Sequence, residues 1–243
     1  GAKYIATGHY AIINNKNNTY EIIRGKDKHK DQSYVLWGIP KETLSKTILP
    51  LGDLTKEEVR EIAREHSLET ADTPESMEIC FVADNNYKRF IREYAKNDVE
   101  HLNNKEGKTL NEKGEKIGIN EGYINYTIGQ RKGIGLSNPE PLYVKNINAN
   151  NNSITVSDKK SLFSKKCKIS NINWLVDFSN FPIKVNCQIR YNGNISKAII
   201  NKIDEDIIAS FKEPQLAITP GQSIVFFDNN DNLLGGGIIE LHE

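Results

Sequence analysis

Ser223-Ile224-Val225-Phe226-Phe227 followed by Asp228-Asn229-Asn230-Asp231 carries a β-rich apolar stretch straight into a turn, and Gly235 to Leu241 follows as a second such stretch. Upstream the pattern repeats. Lys184 to Tyr191, Ser196 to Ile203 and Ile207 to Phe211 alternate apolar and polar residues, with Tyr191-Asn192-Gly193-Asn194 between the first two. Period-two alternation of β-branched and aromatic residues, broken by Asn, Gly and Asp clusters, marks half-buried strands joined by tight turns. Five or more such strands in sequence predict a small β-barrel, which removes the unpaired edges of an open sheet. Leu142 to Ile147 and Ser153 to Val156 alternate in the same way, and this β-rich character sets in after about residue 96.

The front of the chain reads differently. Tyr4 to Ala11 is a short apolar strand running through Gly8, and an Asn-rich turn over Asn14 to Asn18 leads to a second strand, Tyr20 to Arg24; together they predict a hairpin. Asp31 opens an amphipathic stretch through Trp37, and Pro40-Lys41-Glu42 starts another helical turn. Thr55 to Glu65 is the clearest helix. Thr55 with Glu58 three residues on is a capping box, Val59, Ile62 and Ala63 share one face, and Glu57, Arg60, Glu61 and Arg64 carry charge on the other. Tyr87, Phe90, Ile91 and Tyr94 have helical spacing within Asn86 to Tyr94.

The 243 residues imply two domains or three small ones. Lys plus Arg and Asp plus Glu each total 32, which excludes a wholly basic nucleic-acid coat and still permits a local basic groove. No apolar run approaches the roughly 20 residues of a membrane span, so no membrane partner is expected. Cys80, Cys167 and Cys187 form no Cys-x-x-Cys pair. A structural zinc site is therefore not expected, and so sparse a set suits a reducing, cytoplasmic compartment. No signal-peptide pattern opens the chain. Residue 1 is glycine and the sole methionine is Met77, so an upstream portion is expected.

Four segments can carry chemistry. Ser76-Met77-Glu78-Ile79-Cys80-Phe81-Val82 sets a cysteine at the edge of an apolar run; local sequence leaves both a buried small hydrophobe and a reactive thiolate open. Tyr126 to Gly135 brackets Gln130-Arg131-Lys132 with glycines, either a hairpin tip or a loop presenting amides and cations to phosphate. It is neither a Walker A loop nor a dinucleotide fingerprint. Arg24 to Ser33 is a cationic loop in which Asp31-Gln32-Ser33 combines an N-cap with polar groups able to read a base edge. Thr219-Pro220-Gly221-Gln222-Ser223 and Leu234-Gly235-Gly236-Gly237-Ile238 have the residues of tight turns and bulges. Cys167 and Cys187, in or beside barrel strands, read as structural.

In order, Ala6-Thr7-Gly8-His9-Tyr10, Lys30-Asp31-Gln32-Ser33-Tyr34, Pro50-Leu51-Gly52-Asp53-Leu54, Glu78-Ile79-Cys80-Phe81, Tyr126 to Gly133, Thr219 to Ser223 and Leu234 to Glu240 closely resemble the tRNA-specific 2-thiouridylase family, from residue 1 to residue 240. The resemblance implies an α/β plus β fold. Residues 1–84 would be the C-terminal part of a Rossmann-like adenine-nucleotide-binding domain with the persulfide cysteine, 85–160 a central domain and 161–243 a C-terminal β-barrel. It also implies a reaction. ATP, with Mg2+ beside it, adenylates the C2 oxygen of a wobble uridine in tRNA. Sulfur from a donor protein, carried as a persulfide on Cys80, replaces that oxygen, which leaves with AMP, while a second cysteine on the ATP-binding side attacks or reduces the persulfide.

By the same match Gly8 contacts the nucleotide, and His9, Lys30, Asp31, Gln32, Arg190, Tyr191 and Gln222 contact tRNA. Lys30 and Arg190 can meet phosphates, and Tyr191 can stack on a splayed anticodon-loop base. Two features depart from the family. Asp72-Thr73-Pro74-Glu75-Ser76-Met77-Glu78 replaces a Lys-rich approach to the cysteine, and neither a Ser-Gly-Gly-Val-Asp-Ser phosphate loop nor the second catalytic cysteine occurs in the chain. The chain is therefore expected to bind ATP poorly and not to thiolate unaided. It is also expected to expose an edge and apolar face where further strands belong, which favours self-association. A tRNA-binding module without catalysis and a sulfur carrier acting through Cys80 stand as alternatives.

Overall fold

The computed structural model describes residues 1–73, 82, 84, 86–94, 106–178 and 180–240. In chain order the strands begin with β1 (Ile5–Ala6), β2 (Ala11–Lys16), β3 (Thr19–Arg24) and β4 (Thr47–Ile48). Helices α1 (Lys56–Glu65) and α2 (Tyr87–Tyr94) come next, then β5 (Gly107–Leu110), β6 (Lys116–Asn120), β7 (Tyr143–Asn148) and β8 (Ser153–Ser157). The last six strands are β9 (Phe163–Trp174), β10 (Ile183–Gln188), β11 (Ser196–Ile203), β12 (Asp206–Leu216), β13 (Ser223–Phe227) and β14 (Leu233–Glu240). No helix among the described residues is long and apolar enough to cross a membrane.

The chain divides into two compact units, one of residues 1–73, 165–214 and 219–243 and the other of 74–164 and 215–218. In the first, β9 to β14 close a barrel in the order β10-β11-β12-β9-β14-β13, with β13 returning to β10. The predicted barrel is therefore present, with one strand more than the alternation disclosed. β9 escapes the pattern because it opens Phe163-Ser164-Lys165-Lys166, and only Cys167 and Ile169 within it are buried. Inside the barrel lie Cys187, Val185, Ala198, Ile200, Ile224 and Phe226, all buried.

The hairpin and the 3-10 turns after it pack on that barrel. Ala11, Ile22, Tyr34, Leu36 and Leu44 form one buried cluster with Leu175, Val225, Phe227 and Leu233. The hairpin differs from the sequence expectation in its first arm. Ala11 to Lys16 pairs with Thr19 to Arg24, and the turn narrows to Asn17 and Asn18, both at positive φ. Two left-handed residues suit a right-twisted two-residue hairpin, and asparagine tolerates them. The earlier stretch splits off, Ile5 and Ala6 pairing in parallel with Thr47 and Ile48.

Helix α1 starts as its sequence requires: the Glu58 amide donates to Thr55 Oγ1 and the Thr55 amide donates to the Glu58 carboxylate. None of its residues is buried, and Ile62 is exposed, as are Tyr4, Ile5, Ile48 and Leu68. The stretches beginning at Asp31 and Pro40 are 3-10 turns, Ser33–Leu36 and Lys41–Lys46.

Within β14, Gly235 has φ 146° and Gly236 lies under Trp37; a Cβ on Gly236 would sit 2.8 Å from the Trp37 ring. The glycine run thus serves close backbone packing within a strand rather than a turn. In the second unit β6-β5-β8-β7 form one sheet over Tyr126, Ile134, Val144, Ile154 and Val156. The strands predicted at Leu142 to Ile147 and Ser153 to Val156 are β7 and β8. β5 carries little apolar alternation, and β6 alternates at Ile117 and Ile119 with both facing solvent.

Candidate nucleic-acid interface

Cys80 and its Glu78-Ile79-Cys80-Phe81 block lie outside the described residues. The remaining predicted site residues all fall in the first unit.

Gly8 follows β1, is exposed, and would bring an added Cβ no nearer than 3.5 Å to Leu51. Packing does not demand glycine there. Beside it the His9 Nδ1 lies 2.8 Å from Thr7 Oγ1. Gln32 reaches the same place. Its amide donates to the Tyr10 carbonyl at 2.9 Å and its side-chain oxygen accepts from the Tyr10 amide at 3.1 Å. Through Tyr10, His9 and Gln32 become neighbours although 23 positions separate them.

Asp31 is turned inward. Its side chain is 6% exposed and accepts from the Gly25 amide at 2.9 Å, the Ser33 amide at 3.3 Å and the Ser33 hydroxyl at 2.8 Å. It therefore organises the loop from within rather than presenting a free carboxylate. Arg24, 11% exposed, places its Nε 3.6 Å from Asp31 Oδ2. That Nε makes no hydrogen bond, so the pair acts by charge alone. The guanidinium also donates to the Gln188 side-chain oxygen and sits 4.3 Å over the Phe227 ring. Gln188 in turn donates to the Arg190 carbonyl at 3.1 Å. Arg24 thus ties the cationic loop to the end of β10, where Arg190 and Tyr191 form the turn.

Arg190 and Tyr191 lie just past β10, with the Gly193 amide closing onto the Arg190 carbonyl at 3.0 Å. The predicted strand end is corrected here: β10 stops at Gln188, and Tyr191 stands 39% exposed on the turn. Its ring is 6.1 Å from that of Tyr34. The Tyr34 hydroxyl donates to the Ser223 carbonyl at 2.8 Å, and Trp37 Nε1 donates to Ser223 Oγ at 3.0 Å. Burial pushes the Tyr34 phenol up to about 12 against the nearby Arg190 charge, so it remains a neutral donor. Gln222, next to Ser223, is exposed and closes a turn onto the Thr219 carbonyl at 3.2 Å. Pro220 then Gly221 at φ 83° is the pattern of a type II turn.

His9, Gln32, Arg190, Tyr191 and Gln222 are therefore linked through Tyr10, Arg24, Gln188, Tyr34 and Ser223. Tyr34 and Ser223 stand inside the motif blocks, but nothing in the sequence pairs them. Gln188 could have been noticed only as a polar residue ending a strand. Cys167 and Cys187 are buried in the barrel; burial pushes the Cys167 thiol up to about 12 and that of Cys187 well above its ordinary value.

The start of α1 does not fit a phosphate. The Lys56 amide is taken by Asp27 Oδ2 at 3.1 Å and the Glu58 amide by Thr55, with the Glu58 carboxylate at the same end. That carboxylate is held at about 2 by the Lys26 ammonium first and by Thr55, and a fixed negative charge repels phosphate.

Three family profiles match the chain: "tRNA methyl transferase HUP domain" over residues 1–84, "tRNA methyl transferase PRC-barrel domain" over 99–158 and "Aminomethyltransferase beta-barrel domain" over 164–239. Among curated proteins, a tRNA-specific 2-thiouridylase MnmA of Carboxydothermus hydrogenoformans is 43% identical over 245 residues, covering 99% of this chain and 65% of that protein. A tRNA-specific 2-thiouridylase MnmA 1 of Caldanaerobacter subterraneus is 44% identical over 244 residues, with coverage of 99% and 65%. One from Clostridium perfringens is 40% identical over 242 residues, with coverage of 99% and 66%. The chain thus spans about 65% of the length of these relatives, and along nearly all of its own length it aligns with them. With its closed barrel, its α/β front and its match to these relatives along nearly its whole length, the chain belongs to the tRNA-specific 2-thiouridylase family.

Proposed function

We propose that this chain is the tRNA-holding and sulfur-delivering portion of an ATP-dependent tRNA-uridine 2-sulfurtransferase. The observation that carries the reading is the linkage of His9, Gln32, Arg190, Tyr191 and Gln222 through Tyr34, Arg24 and Gln188 within one unit. An exposed aromatic beside a cation, ringed by polar side chains from three separate segments, suits an unstacked base and its flanking phosphates. The 2-thiouridylase names of relatives matched along the chain support the same class. In this reading Arg190 and Lys30 meet phosphates, Tyr191 stacks on a base, His9, Gln32 and Gln222 supply polar contacts, and Asp31 positions the loop that carries its neighbours.

ATP supplies the adenylyl group that makes the uridine C2 oxygen a leaving group. Among the described residues Gly8 offers backbone to a nucleotide and the α1 end refuses its phosphates, so adenylation and the accompanying Mg2+ are assigned to the complete protein. Cys80 carries the sulfur as a persulfide received from a donor protein, in a cytoplasmic setting. Residues 1–84, 85–160 and 161–243 serve as the nucleotide-domain remainder, the central domain and the barrel, a division that the profile bounds support.

The test is binding of this chain to unmodified tRNA bearing a wobble uridine, across a salt series, beside Arg190→Ala. Salt-dependent binding weakened by the variant is expected; absence of binding by the unmodified chain would overturn the reading. For the complete protein, nucleoside analysis should find 2-thiouridine rather than a methylated base, and Cys80→Ser should abolish it.

A further inference from the structure

The outer surface of the barrel carries lysines that the motif blocks do not include. Lys184 on β10, Lys197 on β11 and Lys212 on β12 are exposed and border a groove of about 460 Å³. Lys184 pairs in register with Ile199 and Asn186 with Lys197. The register Ala198↔Phe211 between β11 and β12 brings Lys197 and Lys212 to flanking positions on adjacent strands, about 4.8 Å apart by sheet geometry. Like charges set so close repel.

Among the described residues several other lysines of the same unit are neutralised, while Lys46, Lys165 and Lys202 are not. Lys26 meets Glu58 at 2.7 Å, Lys28 meets Asp231 at 3.0 Å, Lys41 meets Asp177 at 2.7 Å and Lys168 meets Asp206 at 2.8 Å. The side chains of Lys184, Lys197 and Lys212 make no ion pair or hydrogen bond among the described residues, and the groove between them is lined by no carboxylate. Its other outward groups are Asn186, Ser210, Asn229 and Ile199, the last 40% exposed. Three uncompensated cations around hydrogen-bonding groups and one aliphatic side chain complement a polyanion with apolar sugar edges. The groove lies on the two strands that the Arg190–Tyr191 turn joins, since β10 leads into that turn and β11 leaves it one residue before Lys197.

We propose that the outer face of β10, β11 and β12 is a phosphate track on which tRNA held at Arg190 and Tyr191 continues, with Lys184, Lys197 and Lys212 as its backbone contacts. The proposal rests on the RNA-binding reading above and adds a second contact region to it. Phosphate contacts of this kind fix register and orientation without reading sequence.

The experiment is fluorescence anisotropy of unmodified tRNA over a sodium chloride series. It compares the unaltered chain, the triple variant Lys184→Ala, Lys197→Ala, Lys212→Ala, and a control Lys16→Ala, Lys41→Ala whose lysines face carboxylates. All three side chains of the triple variant are exposed, so circular dichroism should show an unchanged fold. The triple variant is expected to bind about tenfold or more weakly near 0.1 M salt, with the slope of log affinity against log salt reduced by about two. The control is expected to match the unaltered chain. Binding by the unaltered chain with an unchanged triple variant would overturn this track and leave the RNA reading standing. Failure of the unaltered chain to bind tRNA would overturn both. Loss of polyglutamate binding with tRNA binding intact would also overturn it, marking the face as a protein-docking surface.

Discussion

The Tyr34 hydroxyl donates to the Ser223 carbonyl at 2.8 Å while the Tyr34 ring lies 6.1 Å from Tyr191. One side chain therefore joins the cationic loop, the β10–β11 turn and the Thr219–Ser223 turn. Its two ends separate the two jobs. Tyr34→Phe removes only the hydrogen bond and should cost about 1 kcal/mol of stability, with tRNA affinity within about twofold. Tyr34→Ala also withdraws the ring, should cost about 3–5 kcal/mol, and should weaken tRNA binding through Tyr191. Urea unfolding and anisotropy titration measure both, and equal tRNA affinities for the two variants would refute the separation.

Arg24 is a buried cation opposite a buried carboxylate. Arg24→Met leaves Asp31 with its three donors but without a counter-charge, and releases Gln188. Breaking a pair this deep should destabilise the unit by about 3 kcal/mol. In a double-mutant cycle Arg24→Met with Asp31→Asn should cost less than the sum of the singles; strict additivity would show that the two charges do not interact.

Acid should loosen the loop-to-helix clasp first. The Glu58 carboxylate sits at about 2 instead of 4.5, held there by Lys26 and then Thr55, and Asp27 is lowered by the Lys56 amide. A folded value below the unfolded one means the contribution is complete above 4.5 and lost as pH falls through about 2. Carboxyl chemical shifts followed down the pH scale should give Glu58 its midpoint in that low range, and Lys26→Met should raise it toward the ordinary value. A Glu58 midpoint near the unperturbed value in the unaltered chain would disprove the clasp.

Thiol labelling should sort the cysteines. Cys167 and Cys187 are each 1% exposed, and burial keeps Cys167 protonated up to about 12. Attack on an alkylating reagent needs an accessible thiolate, so both should stay unlabelled in the folded chain at neutral pH and react once it is unfolded in urea. Mass spectrometry of the digested protein reads this site by site. Equal folded and unfolded labelling rates at either position would contradict its place in the barrel.

Sequence by itself determined what neighbours in the chain can settle. Thr55 and Glu58 fix the start of α1, because both halves of a capping box lie within one helical turn. Two asparagines fix the hairpin turn, and alternation in β10 and β11 fixes which side chains enter the barrel. Lys165-Lys166 hid β9, whose strand character comes from its partners β12 and β14 rather than from its own residues. The motif blocks likewise named most site residues without saying how they meet. Only the closed barrel brought Arg24 to Gln188 and Phe227, Tyr34 to Ser223, and Asp31 inward to its loop. The physical reason is range: caps and turns are satisfied within a few residues, whereas a buried guanidinium or phenol finds its partner only after distant strands have packed.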